Sequence, residues 1–218
     1  MAAWVGLTGI LILAGFGAVH SSAVEAFDRH ITSTVVAHRT PALNSVMRAL
    51  TWLGSWVALV ATGVVVLALA VRRNLAWLSV GLVLVAWAGE VVAVSLAKHV
   101  VRRQRPPTEL WLYPAHGWSW PSGHAATAAL TFAVLAIVLT RSLHHRLAKV
   151  ATWSAAVVVV AGVGFSRIEL GVHWTTDVLA SLAFVTGWLV VIFAVFAKDL
   201  RAAESTLRIA QPTTSEVA

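Results

Sequence analysis

The stretch Leu75–Lys98, LAWLSVGLVLVAWAGEVVAVSLAK, holds a single acidic residue, Glu90, in the 23 positions before its closing lysine. About 20 mostly apolar residues suffice for a helix to cross the hydrocarbon core of a bilayer. The run Leu75–Ala97 therefore reads as a membrane-spanning helix. Working outward, five further runs have the same character: Trp4–Val19, Leu53–Val71, His124–Thr140, Leu147–Phe165 and Asp177–Ala197. No alternation of the kind a membrane barrel needs recurs along the chain. The expected fold is all-α, a polytopic membrane protein of six transmembrane helices. It forms one domain over residues 1–200, and a polar tail, 201–218, is expected to fray. The first run is short but has no basic segment before it. It is read as a retained helix, although Ser21–Ala26 offers small residues that a signal peptidase accepts.

Bulk composition agrees. The chain is 59% hydrophobic and 11% charged, with mean hydropathy +0.82. A soluble domain has about 25% charged residues. The formal net charge of +7 raises the question of nucleic acid. That partner is excluded because the Lys and Arg residues gather at the ends of apolar runs, where they set topology and meet anionic head groups. The absence of cysteine removes disulfides and thiolate chemistry. Of 11 tryptophans, several (Trp4, Trp52, Trp77, Trp111, Trp118, Trp120, Trp174) fall near run ends, as an interfacial belt requires.

Arg72-Arg73, then Arg141, Arg146 and Lys149, then Lys198, Arg201 and Arg208 lie on one side if all six runs span. Basic loops favour the cytoplasm, which puts both termini there. The opposite side receives residues of about 20–52, 98–123 and 166–176. Residues 20–52 are expected to form interfacial amphipathic helices.

Three short segments on that outward side carry the chemistry. His173 and Asp177 are four apart, so on a helix they share a face. Asp177 would accept the Nδ1 proton of His173 and leave the other ring nitrogen free as a nucleophile. Arg167 supplies a planar fork for two phosphate oxygens. Pro121-Ser122 opens the fourth run as a helix cap. The free N–H groups there bind phosphate. Gly123 permits close backbone approach, and His124 is placed to protonate a departing alkoxide. Lys98 and Arg105, before Pro106, add two cations that would offset charge growing in a transition state. Alone, each segment has an ordinary explanation: a helix start, an N-cap, a snorkelling basic cluster. Together they specify eleven residues in fixed order, all predicted on one membrane face. The scheme calls for a neutral His173 and a charged His124, and for no metal and no cofactor.

These residues resemble the three-part signature of the type 2 phosphatidic acid phosphatase superfamily, K-x6-RP, PSGH and SR-x5-H-x3-D, over Lys98–Asp177. The resemblance implies metal-independent hydrolysis of a lipid phosphate. His173 would be the nucleophile, Asp177 its partner and His124 the acid. Lys98, Arg105, Ser122, Gly123 and Arg167 would bind phosphate. Undecaprenyl diphosphate, phosphatidylglycerophosphate and phosphatidic acid all fit as substrates. The alternatives are a lipid phosphotransferase, a lipid-binding or transport protein with an inactive site, and a vanadate-dependent oxidant, against which the spans argue. Oligomeric state is left open by the sequence. Glu90 is either a partner of a phosphate-site cation or a structural group. Arg102 and Arg103 read as solvated interfacial charges, the alternative being that a diphosphate substrate uses one of them.

Overall fold

The computed structural model describes residues 2–72, 77–141 and 143–210. Arg73, the start of the third run at Leu75 and residues 211–218 of the expected tail lie outside the described residues. So do the side chains of Lys198, Arg201 and Arg208. The described residues contain eight α-helices and two short 3-10 turns, with no strand among them.

Helix α1 (Ala2–His20) is the first run. Helices α2 (Ser22–Ala37) and α3 (Pro41–Thr51) fill the segment expected to be amphipathic. Each opens on a capping hydroxyl, Ser21 Oγ accepting from Val24 N and Thr40 Oγ1 from Leu43 N. Helices α4 (Trp56–Arg72), α5 (Trp77–Val101), α6 (Gly123–Thr140), α7 (Arg146–Glu169) and α8 (Thr175–Ala210) complete the bundle. Five helices, α1, α5, α6, α7 and α8, are each long and apolar enough to cross a membrane.

The second run departs from the simple expectation. Helix α4 reaches a span only together with α3, across a bend of 51°. Ser55 makes the break: its hydroxyl lies 2.7 Å from Trp52 O and 3.4 Å from Ala58 N, ending one helix and capping the next. The 3-10 turn Trp52–Gly54 then passes close to the start of α6. A Cβ at Gly54 would sit 2.6 Å from His124 O, so only glycine allows that approach. The last helix also differs. It continues to Ala210, into the tail expected over 201–218.

Helix α5 is apolar all round, yet its two faces do different work. Ala86, Glu90, Ala93, Ala97 and Val101 recur at three- and four-residue spacing and are buried. Val85, Val92, Leu96 and Val100 are exposed, as lipid-facing residues are. The buried face is rich in alanine because small side chains let helix backbones approach in a bilayer. Trp4 of α1 and Trp188 of α8 close on it, donating to Gly89 O at 3.2 Å and Ala86 O at 3.0 Å. A Cβ at Gly89 would fall 2.7 Å from the Trp188 ring. Gly89→Val should therefore overpack this contact at a cost of about 1–3 kcal/mol, with Tm in detergent falling by about 2–4 °C per kcal/mol. Gly17→Ala, where a Cβ meets nothing within 4 Å, is the control and should leave Tm unchanged.

Candidate active site

The three segments meet at one end of the bundle, where α5 and α7 finish and α6 and α8 begin. Helix α7 stops at Glu169 and α8 starts at Thr175, so His173 lies in the turn between them. The expectation that His173 and Asp177 share a helix face is corrected here. Asp177 sits in the first turn of α8 and reaches back as a cap, its Oδ2 accepting from Trp174 N at 3.0 Å. The same oxygen lies 3.2 Å from His173 Nδ1. The backbone N–H of His173 donates to Arg167 O at 3.1 Å, which fixes the ring from the other side.

The His173 ring is buried. An acceptor faces Nδ1, and a donor, Arg105 Nη1, faces Nε2 at 3.0 Å. This pairing assigns the proton to Nδ1 and the lone pair to Nε2. Burial first, and then Lys98, Arg105, Arg167 and His124 around it, push the His173 pKa well below the ordinary imidazole value. The ring is held neutral.

The cations carry many backbone partners. Lys98 Nζ donates to Trp118 O at 2.8 Å and Pro121 O at 2.7 Å. Arg105 donates to Gly117 O at 2.9 Å, His116 O at 2.9 Å and Val172 O at 2.6 Å. The loop from His116 to Pro121 is thereby wrapped around both. Arg167, in the last turn of α7, donates to Thr51 Oγ1 at 2.6 Å and lies 5.3 Å from the Tyr113 ring centroid.

Helix α6 opens as the sequence predicts. Ser122 Oγ accepts from Ala125 N at 3.4 Å, and Ser122 N donates to Asp177 O at 3.2 Å. A Cβ at Gly123 meets only Val94, at 3.9 Å, so protein packing does not demand glycine there. His124 follows in the first turn, within electrostatic reach of Arg167, Lys98 and Arg105. All eight residues singled out from the sequence are thus brought to one place: His124, His173, Asp177, Lys98, Arg105, Arg167, Ser122 and Gly123.

Several neighbours escaped the sequence reading. Arg103 is 6% exposed and ion-paired to both Asp177 and Asp28 at 2.7 Å. The reading of Arg103 as a solvated charge is therefore wrong, whereas Arg102 is exposed. Arg103 and Arg105 are two apart in an extended stretch before Pro106, and that period puts both on one side. This was the missed signal. Thr51 and Asp28 come from α3 and α2, far away in the chain, and nothing local marks them. Among the described residues Glu90 forms no ion pair with a cation. It is buried in α5 and interacts with the Thr127 side chain of α6, which makes it a structural group.

Comparison with known proteins agrees with this arrangement. A family model described as the PAP2 superfamily matches residues 74–201. Phosphatidylglycerophosphatase B of Bacillus subtilis (strain 168) is 32% identical over 178 residues, which cover 79% of this chain and 84% of that protein. The crystal structure of a transmembrane PAP2 type phosphatidylglycerolphosphate phosphatase from Bacillus subtilis superposes with TM-score 0.79 at 29% identity, over 91% of this chain and 98% of that one. The structure of Aquifex aeolicus LpxE shares the fold, with TM-score 0.60 at 22% identity over 77% and 95% of the two chains. With the family model spanning more than half of its residues and its signature positions gathered into one site, this chain belongs to the PAP2 superfamily.

Proposed function

We propose that this protein is an integral-membrane lipid phosphatase that removes a phosphate from a lipid phosphate or diphosphate through a phosphohistidine, without a metal. The observation that carries the reading is the setting of the buried His173 ring. Its Nδ1 side is held by Asp177 and its Nε2 faces a cluster of cations at the start of a helix. In the first step Nε2 attacks phosphorus and the bond from phosphorus to the lipid oxygen breaks. His124 gives its proton to that oxygen. In the second step water attacks the phosphohistidine, His124 takes a proton from the water, and phosphate leaves. Arg105, Lys98, Arg167 and the N–H groups around Ser122 and Gly123 hold the phosphate oxygens throughout.

Phosphatidylglycerophosphate ranks first among the substrates, supported by the activity for which the Bacillus relative is named. Undecaprenyl diphosphate and phosphatidic acid rank behind it. The distribution of basic residues supports an inner-membrane location with both termini cytoplasmic and the site facing outward.

Phosphate release by detergent-purified protein in EDTA should fall by more than about a thousandfold in His173→Ala. Undiminished release in that variant would sink the reading. His124→Ala should cost about 10²–10⁴-fold with a lipid substrate, and much less with an aryl phosphate, whose leaving group needs no proton. Equal losses on both substrates would remove His124 as the acid. Because burial and four neighbouring groups disfavour the imidazolium, ¹⁵N NMR should find His173 neutral at pH 6, with His173→Ala assigning the signal. A protonated ring at that pH contradicts a free Nε2 nucleophile.

A further inference from the structure

The Asp177 carboxylate is wholly buried and has two oxygens to satisfy. Oδ2 serves His173 and the Trp174 N–H. Oδ1 takes its hydrogen bond from Arg103 Nη1 at 2.7 Å. The other end of that guanidinium, Nη2, donates to Asp28 Oδ2 of α2, also at 2.7 Å. Asp28 is itself buried, and its Oδ1 accepts from Thr176 N at 2.9 Å. Trp120 and Trp174 flank the guanidinium, with ring centroids 5.7 Å and 5.8 Å away. The result is a continuous line from α2 to the nucleophile: Asp28, Arg103, Asp177, His173.

Stability is a weak reason for such an array, since apolar residues of similar volume often replace a buried ion pair at no cost. What apolar residues would not supply is a donor on Oδ1 in a fixed direction. Without it the carboxylate is held only through Oδ2, by His173 and the Trp174 N–H, and its plane is less tightly fixed against the line to Nδ1. We propose that Arg103 and Asp28 are positioning residues, the guanidinium fixing the Asp177 carboxylate and Asp28 fixing the guanidinium. This rests on the reading of His173 as nucleophile. Arg103 sends its fork to two carboxylates, so it is not one of the phosphate-holding cations despite lying two residues from Arg105.

The test compares Arg103→Met, Arg103→Lys and Asp28→Asn with His173→Ala, using phosphatidylglycerophosphate in detergent and inorganic phosphate as competitive inhibitor. Arg103→Met and Asp28→Asn should each lower kcat by about 10–100-fold, as loss of an orienting partner does elsewhere. KM and phosphate inhibition should stay within about threefold of the parent. Arg103→Lys, with one point charge for two carboxylates, should recover part of the loss. In the double variant the Asp28→Asn change should add nothing, because both act through one contact. A kcat that holds in Arg103→Met and Asp28→Asn while His173→Ala is dead would overturn the proposal and leave the phosphatase reading intact. A rise in KM and in the phosphate inhibition constant matching the loss of activity would overturn it too, making Arg103 a phosphate ligand. Activity surviving in His173→Ala removes both readings. If Arg103→Met does not fold, Arg103→Lys and Asp28→Asn decide the matter on the same kcat and KM split.

Discussion

A carboxylate buried at the end of a helix bundle has to find every one of its partners within the protein, and Asp177 does so in a way that joins the whole site. Its side chain receives His173, Trp174 N and Arg103, and its backbone carbonyl receives the Ser122 N–H. Those donors come from the turn before α8, the stretch after α5 and the start of α6. Ser181, one turn further along α8, adds its hydroxyl 2.9 Å from Ser122 O and 2.8 Å from Asp177 O. The stretch after α5, the start of α6 and the start of α8 are thus tied to the same residue. The remaining geometry, including the His173 tautomer and the direction of the α6 N-terminus, follows from those bonds.

The long helices were legible because a bilayer imposes its own length on the sequence, and an uncharged run of about 20 residues has few other uses. The three site segments were legible for a different reason: each has an ordinary explanation alone, but together they set eleven residue types in a fixed order at the ends of apolar runs. What stayed hidden is what hydropathy does not record. The bend in the second run depends on a serine hydroxyl at Ser55 acting as both stop and start. His173 lies off the helix because the α8 cap begins one residue after it. Arg103 lies among interfacial arginines in sequence, and its two carboxylate partners, Asp28 and Asp177, are seventy-five positions earlier and seventy-four later. Thr51 in turn gains its meaning from Arg167, 116 positions later.

Chemistry and span are kept apart along α5. Its middle is packed with alanine against two tryptophans, which supports close helix contacts and offers nothing polar beyond Glu90. Its last turn carries Lys98. The extended stretch that follows has lost helical hydrogen bonding, so Arg103 and Arg105 are free to turn inward side by side. Pro106 keeps that stretch extended by excluding the helical conformation for the residue before it.

The carbonyl partners of Lys98 and Arg105 bear on how long phosphate stays. An anion arriving at bare cations would gain their full attraction and leave slowly. Here Trp118, Pro121, His116, Gly117 and Val172 already supply oxygen acceptors. On the reading of these cations as phosphate ligands, an incoming anion would exchange one set of oxygens for another. The net attraction would then be the difference between two similar sets of contacts, which keeps strongly cationic surroundings from becoming a phosphate sink.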